Sequence, residues 1–368
     1  MVPAESEPPY TETTSAPPYD LASDEIFQAE ILAGVSRTFA LTIPQLPPDL
    51  RKAVTNAYLL CRIADTIEDD PGLSAAEKDR FHGQFIAVVA DEKPAEPFGR
   101  EVLPRLSRAM SAEEHELVGN THRVVAVTRS LRPVQRRALN RCVEVMCEGM
   151  REFQRNRRPT GLADLAEMDR YCYYVAGVVG EMLTELFCDY CPELGQCRDQ
   201  MMELSVSFGQ GLQMTNILKD AWDDRSQGAC WLPRDVFLDE GFDLSRLEQA
   251  ADDPGFRAGL VRLIGIAHQH LRDALTYTLL IPAEQTGMRR FCLWAIGMAV
   301  LTLHKVHNNH SVATARELKI SRRAVRATIA VTNLAVEHDR VLRRMFTWTA
   351  RNLPYGDPGP SGGTRPSL

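Results

Sequence analysis

The sequence predicts an all-α protein, and three observations carry that expectation. Apolar residues recur mostly at three- and four-residue intervals between about positions 24 and 353, no sustained alternation of β-branched residues bounded by turns interrupts them, and the interior is poor in helix breakers. Nine of the 22 prolines fall in residues 1–23 and 354–368, stretches otherwise rich in Ser, Thr and Glu or in Gly, which read as flexible tails. The remainder, 24–353, reads as one helical domain, since no interdomain linker and no solenoid repeat is visible.

Helices are expected near 24–34, 47–70, 75–91, 112–127, 133–156, 162–189, 195–224, 233–239, 254–280, 283–310 and 321–351. The breaks are marked by Pro71-Gly72, by the stretch from Pro94 to Pro97, by Arg158-Pro159-Thr160-Gly161, by Cys191-Pro192 and by Ser226-Gln227-Gly228. The longest uncharged apolar run, Phe291 to Leu303, is too short for the ~20 residues that span a bilayer and reads as a buried core helix.

Charge and cysteine usage narrow the function classes. The 368 residues carry a formal charge of −7, from 49 acidic and 42 basic residues. Seven acids and no Lys or Arg precede Arg37, so the excess resides in the first segment and the body is neutral. That start lacks the early positive charge of a secretory or transit signal, so a cytoplasmic protein is expected, and a nucleic-acid partner is disfavoured. Nine cysteines, an odd number scattered through apolar stretches, suit reduced thiols.

The most informative pattern occurs twice. In Asp65-Thr66-Ile67-Glu68-Asp69 and again in Asp220-Ala221-Trp222-Asp223-Asp224, carboxylates at i, i+3 and i+4 share one helix face. Either motif alone reads first as an ordinary solvated helix face. Both, however, continue a polar stripe, through Tyr58 and Arg62 before the first and Gln213 and Asn216 before the second, within apolar sequence. Like charges on an inward face need a cation, and oxygen ligands without His or Cys suit a hard ion such as Mg²⁺, with substrate phosphates completing its shell. A diphosphate and its metals at the mouth of an apolar cavity is the chemistry of allylic isoprenoid diphosphates.

These residues resemble the squalene/phytoene synthase family, the head-to-head prenyl synthases. The resemblance covers roughly residues 30 to 335 and rests on four blocks in order: Ser36-Arg37-Thr38-Phe39, Tyr58-Leu-Leu-Cys-Arg62-Ile-Ala-Asp65-Thr-Ile-Glu68-Asp69-Asp70, Tyr171-Cys-Tyr-Tyr174-Val-Ala-Gly177-Val-Val-Gly180, and Gln213-Met-Thr-Asn216-Ile-Leu-Lys219-Asp220-Ala-Trp-Asp223-Asp224. Within the family the sequence is most similar to squalene synthases, of bacterial type without a membrane anchor. The discriminating stretches are the tyrosine block and Val306-His307-Asn308-Asn309-His310-Ser311-Val312, followed by Lys319-Ile320-Ser321-Arg322-Arg323.

The resemblance implies the isoprenoid synthase bundle and condensation of two farnesyl diphosphates to presqualene diphosphate, then reduction by NADPH to squalene. It implies Mg²⁺, with Mn²⁺ as a substitute, at Asp65, Glu68, Asp69, Asn216, Asp220, Asp223 and Asp224. Ser36, Arg37, Tyr58, Arg62, Gln213, Asn216 and Lys219 are implied at the diphosphates, Phe39 and Phe291 along the prenyl pocket, and Tyr171 beside the proton-transfer steps. Asn308, Asn309, Lys319 and Arg322 are implied on the cofactor side. Cofactor-independent formation of phytoene, dehydrosqualene or hydroxysqualene is the alternative, and a non-catalytic helical module is a third reading. Peripheral membrane contact is expected of an enzyme with an oily product, although no amphipathic anchor stands out in the sequence.

Two departures from the family pattern bear on the cofactor. Ala229 stands where an arginine is expected, and Ser321 where a basic residue is expected. Gly177 and Gly180 read either as space for a prenyl chain or as sites of close helix packing.

Overall fold

A computed structural model describes residues 20–156, 158–309 and 315–356. Twelve helices carry the architecture: α1 (Leu21–Val35), α2 (Pro48–Asp69), α3 (Ala75–Val89), α4 (Thr121–Ser130), α5 (Pro133–Arg155), α6 (Leu165–Cys172), α7 (Val178–Tyr190), α8 (Arg198–Ser226), α9 (Pro254–Leu280), α10 (Thr286–Asn308), α11 (Arg322–Ala335) and α12 (Asp339–Ala350). Shorter helices, among them Ala95–Val102, Ala112–Gly119 and Ala315–Leu318, fill the connections. The described residues contain no strand, only one isolated bridge between Leu162 and Pro233. No helix among them is long and apolar enough to cross a membrane.

The elements start where local chemistry dictates. Pro48, Pro133 and Pro254 occupy the first turns of α2, α5 and α9, where a missing N–H costs nothing. Ser74 and Glu77 form a reciprocal capping box at α3. One core cluster runs from Phe27 in α1 to Leu353 beyond α12. Helix α8 lies at its centre, packed against α7, α9, α10 and the turn before α7, while α2 packs on α1, α4, α5 and α7. The two acidic helices therefore stand on different walls joined through α7.

A buried amide locks the α2 wall. Asn56 Nδ2 donates to Gln28 Oε1 (2.9 Å) and to the Val124 carbonyl (2.8 Å), and its Oδ1 accepts from Thr128 Oγ1 (2.8 Å). With every donor and acceptor satisfied in the interior, this knot fixes the relative positions of α1, α2 and α4.

The structure corrects several sequence-based boundaries. The expected helix 162–189 is interrupted by a π-helical turn, Tyr173–Gly177, between α6 and α7. The expected helix 321–351 is two helices parted after Ala335, and 112–127 is two parted at Asn120. The Pro94–Pro97 stretch opens a helix, because Pro97 sits in its first turn, where proline is tolerated.

The glycines of the tyrosine block serve helix contact. A Cβ on Gly180 would lie 2.1 Å from the Ser205 carbonyl oxygen of α8, and one on Gly209 of α8 would lie 2.2 Å from that of Ala176 in the π turn. Backbones meet at both of these, and a Cβ on Gly177 would lie 3.0 Å from the Tyr173 ring and 3.3 Å from the Val206 side chain of α8, so close packing accounts for Gly177 as well as Gly180. Gly180→Ala is expected to lower unfolding free energy by about 2 kcal/mol or more in urea titration, since the clash is with backbone and cannot be relieved by a rotamer. Gly195→Ala, where nothing lies within 4 Å, is expected to leave the midpoint unchanged.

Candidate functional site

The site is built from the C-terminal halves of α2 and α8 and from what the π turn does to α6. On α2, Glu68 is buried, Asp65 half-buried and Asp69 exposed. Burial, together with the Asp69 charge, holds Asp65 up to about 7, and the same causes plus the Asp65 charge hold Glu68 up to about 8. Arg62 and Lys78 oppose these shifts. Arg62 is itself paired with Glu114 of the helix Ala112–Gly119, while its Nε is buried without a partner. Lys78 is buried and donates to the Glu68 carbonyl at the end of α2, a favourable place for a cation. Glu68 Oε1 has no hydrogen-bond partner.

Asp70, the last carboxylate of the first block, does not belong to this face. It is fully buried; its Oδ1 accepts from the amides of Gly72 (2.6 Å) and Leu73 (3.2 Å) and its Oδ2 from Ser107 (2.7 Å). It clips the α2–α3 turn to the loop at 107 and plays no part in balancing a bound cation.

On α8, Lys219 Nζ lies 3.0 Å from Asp220 Oδ2 and donates to Asn216 Oδ1 (3.4 Å). Burial raises the Asp220 carboxyl above its ordinary range and Lys219 pulls against that shift. Asp223 and Asp224 are half-buried one turn on, and Gln213 one turn before Asn216. A pocket of about 490 Å³ opens here, lined by Arg37, Lys219, Asp220, Arg316 and Lys319. Four cations facing one carboxylate make a receptor for a multiply charged anion.

Arg316 is the residue that sequence reasoning missed. The helix Ala315–Leu318 packs on α8, with Leu318 buried, which presents Arg316 and Lys319 beside Lys219. Their i, i+3 spacing was the available signal. Ser321, standing where the family carries a cation, instead caps α11 by accepting from the Ala324 amide (3.2 Å).

Tyr171 links the two acidic faces. It is buried, stacked parallel on Trp231 with ring centroids 4.1 Å apart, and edge-on to Phe153 at 5.1 Å. Burial holds its phenol well above the usual range, helped by the carboxylates of Glu68 and Asp69 from one face and Asp224 from the other. The phenol therefore keeps its proton at neutral pH. Trp231 follows the left-handed Gly228 (φ +75°) and buried Ala229, so the segment after α8 folds back over Tyr171.

The residues expected along a prenyl pocket also assemble. Ser36 Oγ accepts from the Phe39 amide (3.0 Å), and Tyr58 donates to the Val35 carbonyl (3.0 Å). Phe39 contacts Tyr58 (5.2 Å) and Phe291 (6.4 Å), and Phe291 contacts Phe187 (6.2 Å), giving a continuous aromatic wall. The four cofactor-side residues divide. Asn308 and Asn309 line a separate groove of about 470 Å³ with His304, Lys305, Ile320 and Ser321; Lys319 lies in the anion pocket, and exposed Arg322 opens α11. His310, Ser311 and Val312 lie outside the described residues.

A helical bundle with two carboxylate faces meeting at a tyrosine, beside a cationic pocket and an aromatic wall, defines a protein of the isoprenoid synthase class. The chain belongs to the squalene/phytoene synthase family, whose model matches residues 32–324. It is 29% identical over 317 residues to squalene synthase BSS of Botryococcus braunii, covering 84% of this chain and 65% of that protein. It is 30% identical over 285 residues to the squalene synthase of Rattus norvegicus, covering 75% and 62%. The chain thus spans just under two thirds of the length of these relatives. TcSQS in complex with a ligand shares the fold at a TM-score of 0.72 and 24% identity, covering 89% of this chain and 91% of that one. A dehydrosqualene synthase in complex with a ligand shares it at a TM-score of 0.63 and 19% identity, covering 86% and 98%.

Two outcomes follow from this geometry. In EDTA, the folded protein binds protons at Asp65 and Glu68 more tightly than the unfolded chain does, so the contribution of these two groups to stability is expected to decline as pH rises from about 4 to about 8, against the opposite trend of His82 and His270, whose imidazoles burial holds down to about 4. Asp65→Asn should flatten that decline, as read from urea midpoints at pH 5 and pH 8. Arg316→Gln should weaken binding of inorganic pyrophosphate about tenfold with the thermal midpoint unchanged; an unaltered affinity would remove Arg316 from the anion pocket's function.

Proposed function

We propose that the chain condenses two farnesyl diphosphates head to head through presqualene diphosphate and reduces the product with NADPH to squalene. The observation that carries this reading is Tyr171, buried between carboxylates of both helices and roofed by Trp231. The names borne by the relatives support the same reaction.

The donor set fits Mg²⁺. It consists of carboxylate and amide oxygens, with an unpartnered Glu68 oxygen and carboxyls pushed upward by mutual repulsion and burial. Asp65, Glu68 and Asp69 would hold the ion on one side, and Asn216, Asp220, Asp223 and Asp224 on the other. Among the described residues no three His, Cys, Asp or Glu side chains form a ready-made cluster, so one or two carboxylates of each face would ligate the ion directly, and water and diphosphate oxygens would have to complete its shell. When bound, Mg²⁺ supplies electrostatic stabilisation of the departing diphosphate.

The chain's own residues do the rest. Arg37, Lys219, Arg316 and Lys319 bind and orient diphosphate oxygens, and Arg62, braced by Glu114, has a free Nε to donate. Tyr58 and Ser36 hold the backbone at Val35 and Phe39, which sets the Phe39–Phe291–Phe187 wall along the prenyl chain. That wall excludes water from an allylic cation, which would otherwise be captured as an alcohol. The Tyr171 phenol, protonated and buried beside carboxylates of both faces, would relay a proton lost on cyclopropane closure toward the leaving diphosphate. For NADPH, the amides of Asn308 and Asn309 would present donors and acceptors along a groove shared with His304, Lys305 and Ser321, and Lys319 and Arg322 would supply positive charge. When bound, it supplies the hydride.

The test is incubation with farnesyl diphosphate and Mg²⁺, with and without NADPH, and identification of the hydrocarbon. Squalene is expected only with NADPH, and presqualene diphosphate without it. Dehydrosqualene or a C30 alcohol in both reactions would replace the proposal with a cofactor-independent synthase. Asp65→Asn and Asp220→Asn are each expected to reduce condensation by about 10³-fold or more while the circular dichroism melt persists; retained turnover in either would overturn the paired-carboxylate reading.

A further inference from the structure

Helices α11 and α12 differ from the rest of the molecule in what they leave uncovered. Their inner sides pack on α9 and α10 through a small satellite core of Leu275, Leu293, Ala335, Val336 and Leu342, backed by Met345 and Phe346. Their outer sides carry Leu334, 83% exposed, Trp348, 66% exposed, and exposed Val331 and Val341. On α12, Val341, Arg344, Trp348 and Arg351 recur at three- and four-residue spacing and so share one face. The Arg351 guanidinium lies 5.0 Å from the centre of the Trp348 ring.

Charge is equally lopsided. Residues 322–351 contain seven arginines and only two acids, Glu337 and Asp339, in a chain whose net charge is −7. Asp339 is already committed to the buried guanidinium of Arg289 at 2.7 Å. The exposed arginines of α12, Arg340, Arg343, Arg344 and Arg351, flank the exposed apolar side chains on the same short helix. Apolar side chains ringed by arginine, with tryptophan among them, is the composition of helices that lie in the plane of a membrane interface. A basic surface is drawn to anionic headgroups, and arginine stems extend along the apolar boundary while their heads reach phosphate.

We propose that the outward faces of α11 and α12 dock the protein on an anionic lipid bilayer. A second copy of the chain would bring the same positive charge against itself, which disfavours self-association through this face. A nucleic acid would engage the arginines but leave Leu334 and Trp348 without a role. The inference stands on this surface and not on the catalytic reading, although a bilayer would also be a sink for a C30 hydrocarbon.

The full chain would be co-sedimented with vesicles of phosphatidylcholine alone and of phosphatidylcholine with phosphatidylglycerol, at low and high salt. Binding is expected on the anionic vesicles only, weakened by salt. The triple variant Arg340→Gln, Arg343→Gln, Arg344→Gln is expected to reduce partitioning by about tenfold or more. The double variant Leu334→Ser, Trp348→Ser should reduce it by about tenfold, with turnover in vesicle-free buffer unchanged in both. Equal binding to neutral vesicles, absence of binding at low salt, or loss in the arginine variant with none in the apolar variant would overturn the proposal; the last pattern, with competition by duplex DNA, would indicate a polyanion site. A concentration-dependent dimer abolished by Trp348→Ser in sedimentation velocity would also overturn it, assigning the face to self-association. Should the arginine variant fail to fold, the salt dependence and the apolar variant decide alone.

Discussion

Everything in the site depends on the repulsion among Asp65, Glu68 and Asp69. Three carboxylates one turn apart, two of them withdrawn from bulk water, cannot all be ionised without a cation nearby, and the protein supplies only partial compensation through Arg62 and Lys78. The deficit is met at the edges: Lys78 neutralises the helix end from below, and Arg62 is shared with Glu114. A fully compensated cluster would bind a divalent ion poorly, because the ion would have to displace protein cations. An uncompensated one would unfold the end of α2. The observed state lies between these limits, as expected for a site completed by its ligand.

The same constraint explains why the second acidic helix is built differently. On α8 the compensating cation is Lys219, adjacent in sequence and only 3.0 Å from Asp220, and the pocket beside it carries three further cations. One wall is thus acidic and the other basic at its rim. An anionic ligand with bound metal satisfies both at once. Tyr171 can face carboxylates from both walls because the π turn after Cys172 changes the helical phase, and the carbonyl of Ala176 within that turn packs where Gly209 has no side chain. Glycine on α8 and the π turn are therefore one device.

Sequence made the helix ends and the acidic faces legible, because proline caps, a capping box and i, i+3, i+4 spacing are local. Asp65, Asp220, Tyr171, Phe39 and Phe291 were each legible as candidates from the motifs that carry them. What it hid was tertiary. Nothing local separates Asp70 from Asp69, yet Asp70 faces the amides of Gly72, Leu73 and Ser107 instead of the cleft. Glu114 as the partner of Arg62 needs a helix some fifty residues away, and the break between α11 and α12 carries neither glycine nor proline to mark it.

The two departures from the family pattern acquire a physical meaning from their surroundings. Ala229 is buried, its amide donating to the Asp224 carbonyl (2.9 Å), so the backbone itself closes over the end of α8 where a long cationic side chain would have to emerge. Ser321 is spent on capping α11. Ala229 lies beside Asp224, Ser321 lines the groove of Asn308 and Asn309, and the short helix Ala315–Leu318, packed against α8, sets Arg316 and Lys319 in the anion pocket. The pocket is cationic without a charge at either position, because an anion responds to the field at its own position and not to the segment that supplies it.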